Sequence, residues 1–201
     1  MRKTLSLITI ILISLLKSQT STIDIQDDYL NQPDGFYRKD TNNLLDSFTG
    51  TYLYTNGNNN FKITLVKKLM QFNGRYYEDL IIGEYQYIEN GTEKINTLSQ
   101  LDTVYNNQRK HSIAGNHIIT NNNTRLWPCP QCNPNEIRLD LGIMDTFSQR
   151  SARLFLRKII VNGQQVLKVK ISNINSVVSN PAMPAPKEFS LPRGEFTLIK
   201  Q

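Results

Sequence analysis

Residues 154–172, which read LFLRKIIVNGQQVLKVKIS, decide the fold class of this chain. Two runs of apolar and β-branched residues flank Asn162 and Gly163 in this stretch. Asn and Gly tolerate the positive φ angles of a type I′ turn, which joins the strands of a tight hairpin. The second run alternates apolar residues with Lys168 and Lys170, a pattern typical of a strand with one buried face. The stretch therefore predicts an antiparallel β-hairpin.

The Asn-Gly dipeptide recurs at residues 56–57, 73–74 and 90–91, at a spacing of 17 residues. That spacing accommodates about one strand with its turns, so we expect a meander of successive antiparallel strands. Residues 61–65 and 137–143 support this expectation, because apolar and polar residues alternate in both. The chain is predicted to be all-β: an antiparallel meander that forms a curved sheet or a lipocalin-like barrel, complete or incomplete.

One short N-terminal helix is expected over residues 40–48. Asp40 or Thr41 would cap its first turn, and Leu44, Leu45 and Phe48 would share its apolar face. Because a strand pattern follows at once, the helix is expected to lead directly into the first strand of the meander.

Two long stretches carry no regular pattern. Residues 99–135 are polar and rich in Asn, with a short strand expected near Ile118 and Ile119. Residues 173–193 contain four prolines. Proline fixes φ and lacks a backbone donor, so this second stretch is expected to cross the surface in an extended form.

The first 18 residues have the layout of a secretory signal peptide. Arg2 and Lys3 precede an apolar run over residues 5–16, which is shorter than the ~20 residues of a membrane-spanning helix. Cleavage is expected after Ser18. The predicted organisation is then a signal peptide at 1–18, an N-terminal extended segment at 19–40, and a single β domain at 41–201. The mature chain is expected to be exported to the periplasm or beyond, with no membrane span after cleavage.

The charge of the chain argues against a nucleic-acid-binding protein. The formal charge of +6 includes Arg2, Lys3 and Lys17 of the leader and is about +3 without them. The other basic residues are scattered, whereas a nucleic-acid site needs a concentrated basic face. We therefore expect no nucleic-acid partner.

Residues 127–134, WPCPQCNP, contain the two cysteines of the chain, Cys129 and Cys132. A local disulfide between them is expected, because export favours oxidation. A zinc site would need two further ligands. A thioredoxin-type site would need the first thiol at a helix N-terminus, and the prolines here do not favour one. Thiol-redox and zinc-binding functions remain alternatives, while no metal site and no cofactor are expected.

No pattern in the chain predicts a catalytic site. There is no Gly-x-Ser-x-Gly elbow, and His111 and His117 are expected to be exposed in a loop. Glu78, Asp79 and Glu84 bound a strand and are expected to be solvated rather than paired for glycoside hydrolysis. The expectation is therefore a protein that is not an enzyme, with no catalytic residues.

Tyrosines supply the remaining candidate site. Tyr52 and Tyr54, like Tyr85 and Tyr87, are two residues apart, so each pair faces one side of its strand. If the meander pairs these strands, the four rings form one face that binds a ligand. The alternative is cross-strand aromatic packing, which stabilises sheets without any ligand.

Four segments carry a resemblance to a known family. They are residues 43–52 (NLLDSFTGTY), 78–85 (EDLIIGEY), 129–136 (CPQCNPNE) and 192–201 (PRGEFTLIKQ). Together they resemble a family of small secreted proteins of unknown function from Gram-negative bacteria. The resemblance implies secretion and a β-rich domain, and it carries no activity or site residues. Residues 48–52 also resemble the start of lipocalin-like barrels, with Tyr52 in place of Trp.

The function predicted from the sequence is a non-enzymatic binding or structural role at the cell envelope. The partner would be an envelope protein, a glycan or a small ligand. The first alternative is a lipocalin-like carrier of a small apolar or aromatic ligand, since barrel mouths are common ligand sites. The second is a thiol-redox or zinc-binding protein that uses Cys129 and Cys132.

Overall fold

A computed structural model describes residues 20–120, 124–125, 127–175 and 187–201. The predicted signal peptide at 1–18 lies outside the described residues. The described strands are β1 (Thr22–Asp24), β2 (Tyr37–Lys39), β3 (Gly50–Asn56), β4 (Asn59–Phe72), β5 (Tyr77–Glu89), β6 (Thr92–Asn96), β7 (Ile113–Ile119), β8 (Arg138–Asp145), β9 (Arg150–Val161), β10 (Gln164–Ser172) and β11 (Gly194–Lys200). Short 3₁₀ helices span Leu44–Phe48, Leu98–Gln100 and Gln108–Lys110.

Eight of these strands close into an antiparallel barrel. The order around the wall is β3, β4, β5, β7, β8, β9, β10 and β11. The pairing of β11 with β3 closes the ring. The all-β prediction is confirmed, and the sheet closes completely, consistent with a lipocalin-like barrel. Strand β7 spans the region where a short strand was predicted.

Strand β5 has one edge shared by three other strands. Along that edge it pairs with β2, then with β7, then with β6, while β4 follows its other edge. Only Ile81, Ile82 and Gly83 of β5 pair with β7. The barrel is therefore closed there by a short contact between β5 and β7, with β2 and β6 paired to the same edge of β5 on either side of it.

The predicted type I′ turns form at two of the four Asn-Gly dipeptides, whereas at 56–57 and 73–74 only the Gly has positive φ. The dipeptides at 73–74, 90–91 and 162–163 lie between β4 and β5, β5 and β6, and β9 and β10, while Asn56 is the last residue of β3 and Gly57 follows it. At 90–91 and 162–163 both residues have positive φ, as a type I′ turn requires. The predicted hairpin of β9 and β10 is confirmed.

The predicted short helix is a 3₁₀ helix over Leu44–Phe48. The Asp40 carboxylate accepts hydrogen bonds from the backbone N–H groups of Leu44 at 2.8 Å and Leu45 at 3.0 Å. Leu45 and Phe48 are buried in the main core. Asp40 therefore satisfies the first backbone donors of the helix, and two apolar side chains fasten it to the barrel.

The proline-rich crossing lies partly outside the described residues, which resume at 187. Phe189 and Leu191 join the main core cluster, and the Ser190 backbone N–H donates to Asp145. This end of the crossing is thus anchored to the barrel. Within the described ranges, no helix is long and apolar enough to cross a bilayer.

Candidate functional site

The four tyrosines predicted to form a ligand-binding face lie on the inside of the barrel. Tyr52, Tyr85 and Tyr87 belong to the main cluster of buried core residues, and Tyr54 packs against it. Strand β4 lies between the two pairs. The structure therefore brings the four rings to one face, and there they pack among other core side chains.

The hydroxyl groups of the two most deeply buried tyrosines are engaged by the protein. Tyr52 accepts a hydrogen bond from Gln165 Nε2 at 2.8 Å. Tyr85 donates to the Met144 carbonyl at 2.8 Å and accepts from the Thr146 N–H at 3.2 Å. Burial raises the pKa of Tyr52 and of Tyr85 to about 12. These contacts account for both rings structurally, and their contact with a ligand stays a prediction.

The predicted disulfide between Cys129 and Cys132 is confirmed. Its loop lies on the outer wall of the barrel, where the Trp127 ring packs against Phe155 and Trp127 Nε1 donates to Glu195 at 3.0 Å. Both cysteines are buried. No three His, Cys, Asp or Glu side chains of the described residues come together as a metal site.

The acidic residues of β5 are buried, which contradicts the expectation that they are solvated. Glu78, Asp79 and Glu84 are at most 1% exposed. Strand β2 pairs with the start of β5, and Tyr37 of β2 donates to Asp79. The segment before β7 places Arg109 on Glu78 and the Ser112 N–H on Glu84. The sequence feature that could have predicted this burial is the apolar run at residues 80–82. A strand that is apolar on both faces is covered on both faces, so its polar residues are buried as well.

His111 is also buried, so the expectation of an exposed loop histidine is wrong for it. Its side chain has no exposed surface. Its Nδ1 lies 2.8 Å from Glu84 Oε1 and its Nε2 lies 3.2 Å from Gln108 Oε1. Glu84 Oε2 is buried with no hydrogen-bond partner. His117 is exposed as expected, although it lies on β7 rather than in a loop.

Asn116 organises a buried polar network on the outer wall beside β5. Its Nδ2 donates to Glu78 Oε2 and to the Asp79 carbonyl, both at 2.8 Å. Its Oδ1 accepts from Arg109 Nη2 at 3.1 Å and from Arg38 Nη1 at 3.4 Å. The amide thus holds two guanidinium groups on one side and the acidic strand on the other.

Arg38 is the least compensated member of this network. The residue is 7% exposed, and its Nε is buried without a hydrogen-bond partner. Its Nη2 donates to the Ile25 carbonyl, and its Cζ lies 4.5 Å from the centre of the Tyr29 ring. No carboxylate of the described residues forms an ion pair with it. Among the described residues, its positive charge therefore contacts only neutral hydrogen-bond acceptors and the face of an aromatic ring.

A second polar cluster joins β7, β8 and β9. Asp140 accepts from Arg153 Nε at 2.7 Å, and His117 Nδ1 lies 3.0 Å from Asp140 Oδ2. Burial raises the pKa of Asp140, but the hydrogen bonds from His117 and Arg153 outweigh it and hold the pKa below its ordinary value. Asp140 is therefore a charged carboxylate that orients Arg153.

These side chains line two adjoining cavities on the outer wall, of about 510 and 390 Å³. The cavities share Arg109, Ala114 and Gly142, and the last two are cross-strand partners on β7 and β8. We call this combined space the outer groove. The smaller cavity contains Arg38, Arg153, Asn116 and His117 on its walls, and the larger extends over Ile143, Met144, Thr146 and Ser151.

Sequence reasoning missed the arginines of the outer groove. Arg38, Arg109 and Arg153 are far apart in the chain, and no motif surrounds any of them. They meet because β2, the loop before β7, and β9 all border the same part of the barrel wall. Only strand pairing between distant segments reveals this site.

Comparison with known proteins identifies the family to which this chain belongs. A search of curated proteins and a search of solved structures found no match. A model described as "Family of unknown function (DUF6705)" matches residues 1–201. The match includes every strand of the barrel and every residue of the outer groove. The chain therefore belongs to this family of unknown function, DUF6705.

Proposed function

We propose that this chain is an exported, non-enzymatic binding protein of the cell envelope, and that its ligand occupies the outer groove. The observation that carries the proposal is the combination of an open volume and a buried polar network in one place. Cavities of about 510 and 390 Å³ adjoin Asn116, Arg109 and Arg38, which are held by hydrogen bonds. Small-molecule sites combine such volumes with a few positioned polar groups.

Two further observations support this proposal. The intramolecular disulfide fits the oxidising compartment that an exported protein enters. The tyrosine face that a carrier with an internal site would use is packed among core side chains. The proposal therefore keeps the small ligand predicted for a lipocalin-like carrier but moves it to the outer wall.

The test is to fill the groove floor and measure ligand retention. Ala114→Trp places an indole between the two cavities, and Thr55→Trp is the matched control at an exposed strand position of β3. The proteins would be purified from the native host and compared by mass spectrometry under native and denaturing conditions.

We expect a mass difference that disappears on denaturation in the wild type and in Thr55→Trp, and that is absent from Ala114→Trp. Thermal melting confirms that each variant is folded. Retention of the same ligand by folded Ala114→Trp would place the site elsewhere. A wild-type protein that stays bare after incubation with a small-molecule extract of its host would overturn the proposal.

A further inference from the structure

We infer that the ligand of the outer groove is an organic oxyanion, a carboxylate or phosphate ester with an apolar body, whose charged group pairs with Arg38. The inference rests on the proposed function, because it specifies the chemistry of the same site.

The first observation is the charge balance of the groove. Four cations contribute to its walls, namely Arg38, Arg109, Lys110 and Arg153, against one carboxylate, Asp140. Two further carboxylates lie behind these walls, Glu78 behind Arg109 and Glu84 behind His111, so the cations still outnumber the carboxylates by four to three. A concave wall with an excess of one sign concentrates its field in the cavity and attracts ligands of the opposite charge. The groove therefore favours an anion.

The second observation is the state of Arg38. A guanidinium stays protonated in proteins, so burial cannot be relieved by loss of its proton. Burying a charge without a counter-charge is costly. Arg38 has neutral acceptors on Nη1 and Nη2 and none on Nε. Because Arg38 lines the smaller cavity, an oxyanion bound there supplies the missing counter-charge.

The third observation is how the neighbouring arginines are held. Arg109 uses Nε and Nη2 to bind Glu78, and Arg153 uses the same two atoms to bind Asp140. In both, Nη1 makes no hydrogen bond to the described residues. Each guanidinium is thus fixed by a carboxylate while it keeps donors for a ligand. Such preorganisation lowers the entropy that binding would otherwise cost.

The fourth observation concerns the rest of the ligand. From Arg109 the groove continues over Ala114 and Gly142 toward Ile143 and Met144. Ala114, Ile143 and Met144 supply apolar surface in this part, beside the uncharged polar side chains of Thr146 and Ser151. An inorganic ion would leave it empty, whereas an apolar body would bury surface there. The groove therefore fits an anion with an apolar extension.

The experiment measures binding of octanoate, octyl phosphate, 1-octanol and inorganic phosphate to the full mature chain by isothermal titration calorimetry. Octanoate and octanol have equal chain lengths and differ in charge, and phosphate lacks the apolar body. The variants are Arg38→Gln, Arg38→Lys and the exposed-site control Arg75→Gln. Thermal melting reports whether each variant is folded.

We expect saturable binding of octanoate or octyl phosphate, weakened roughly tenfold or more by Arg38→Gln, since a hydrogen bond to a charged group is worth about 1.5–3 kcal/mol. Arg38→Lys keeps the charge and should lose less, and Arg75→Gln should lose nothing. Octanol should bind at least about tenfold more weakly than octanoate, and higher salt should weaken only the anions.

The outcomes separate the inference from the proposal on which it rests. If octanol and octanoate bind with equal affinity and Ala114→Trp abolishes both, the ligand is not recognised by its charge, but the groove is still the binding site. If inorganic phosphate binds as tightly as octyl phosphate, the ligand does not need an apolar body, and that part of the inference is wrong. If neither organic anion binds at millimolar concentration, the inference fails. If the anions bind and Ala114→Trp has no effect, the groove itself is the wrong site.

Discussion

Arg109 donates two hydrogen bonds to the buried carboxylate of Glu78, from Nε at 2.6 Å and from Nη2 at 2.7 Å. The contact ties the loop before β7 to β5, next to the short pairing that closes the barrel. Burial lowers the pKa of Arg109, but the hydrogen bonds and charge of Glu78 outweigh it and raise the pKa. The two side chains form an ion pair whose carboxylate is buried and whose guanidinium reaches the surface.

Arg109→Met should lower the free energy of unfolding by about 3 kcal/mol or more, because it leaves the Glu78 carboxylate buried without its ion pair. Arg75→Met is the matched control. Arg75 pairs with Asp34 on the surface, where such a pair contributes about 1 kcal/mol or less. Urea denaturation of both variants measures the difference. Equal small losses would show that the Glu78 contact is not needed to hold the barrel closed.

Asp145 should govern part of the acid stability. Its carboxylate accepts from Ser148 Oγ at 2.6 Å, from Ser190 N–H at 2.6 Å and from Phe147 N–H at 3.0 Å. Burial raises the pKa of Asp145, but these hydrogen bonds outweigh it and lower the pKa. The stability it contributes is present above the unfolded-state pKa of about 3.9 and is lost as pH falls through the lower folded value.

Asp145→Asn should therefore reduce stability near neutral pH and flatten the fall in stability below about pH 4. The measurement is the free energy of unfolding as a function of pH, with exposed Asp102→Asn as the control. An acid limb that is as steep in Asp145→Asn as in the wild type would contradict the assignment.

Tyr85→Phe should cost about 1–2 kcal/mol, because it leaves the Met144 carbonyl and the Thr146 N–H without their shared partner. Tyr54→Phe is the control at a half-buried ring on the same interior face. It should cost less than about 0.5 kcal/mol. Chemical denaturation compares the two. If Tyr85→Phe were neutral for stability and yet reduced binding of a ligand, the tyrosine face would be functional rather than structural.

The disulfide should contribute less than the tryptophan beside it. Replacing Cys129 and Cys132 together with Ser removes a very small closed loop, for which chain entropy predicts about 2 kcal/mol. Trp127→Ala should cost about 3 kcal/mol, since it removes the packing on Phe155 and the hydrogen bond to Glu195. Thermal melting of both variants shows which of the two changes lowers the stability more. A larger loss in the double Ser variant would make the disulfide the principal anchor of the loop.

Short-range features were predictable because neighbouring residues decide them. The turn at Asn162-Gly163 depends on which residues tolerate positive φ, and it forms as expected. The segment before β3 is helical as predicted, but it forms a 3₁₀ helix of five residues. Both the predicted and the observed helix end at Phe48, and the observed one begins only at Leu44 because Asn43 has a positive φ of 53°, outside the helical region.

The sequence by itself determined the all-β class, the hairpins and the cysteine pairing, since each rests on φ preferences, period-two alternation or contacts a few residues apart. Only the tertiary structure decided that the sheet closes, that Glu84 and His111 are buried, and that Arg38, Arg109 and Arg153 meet in one groove. Those outcomes depend on which distant strands pair and on which chain covers the outer wall. Such long-range pairing is a property of the whole barrel, and no local pattern encodes it.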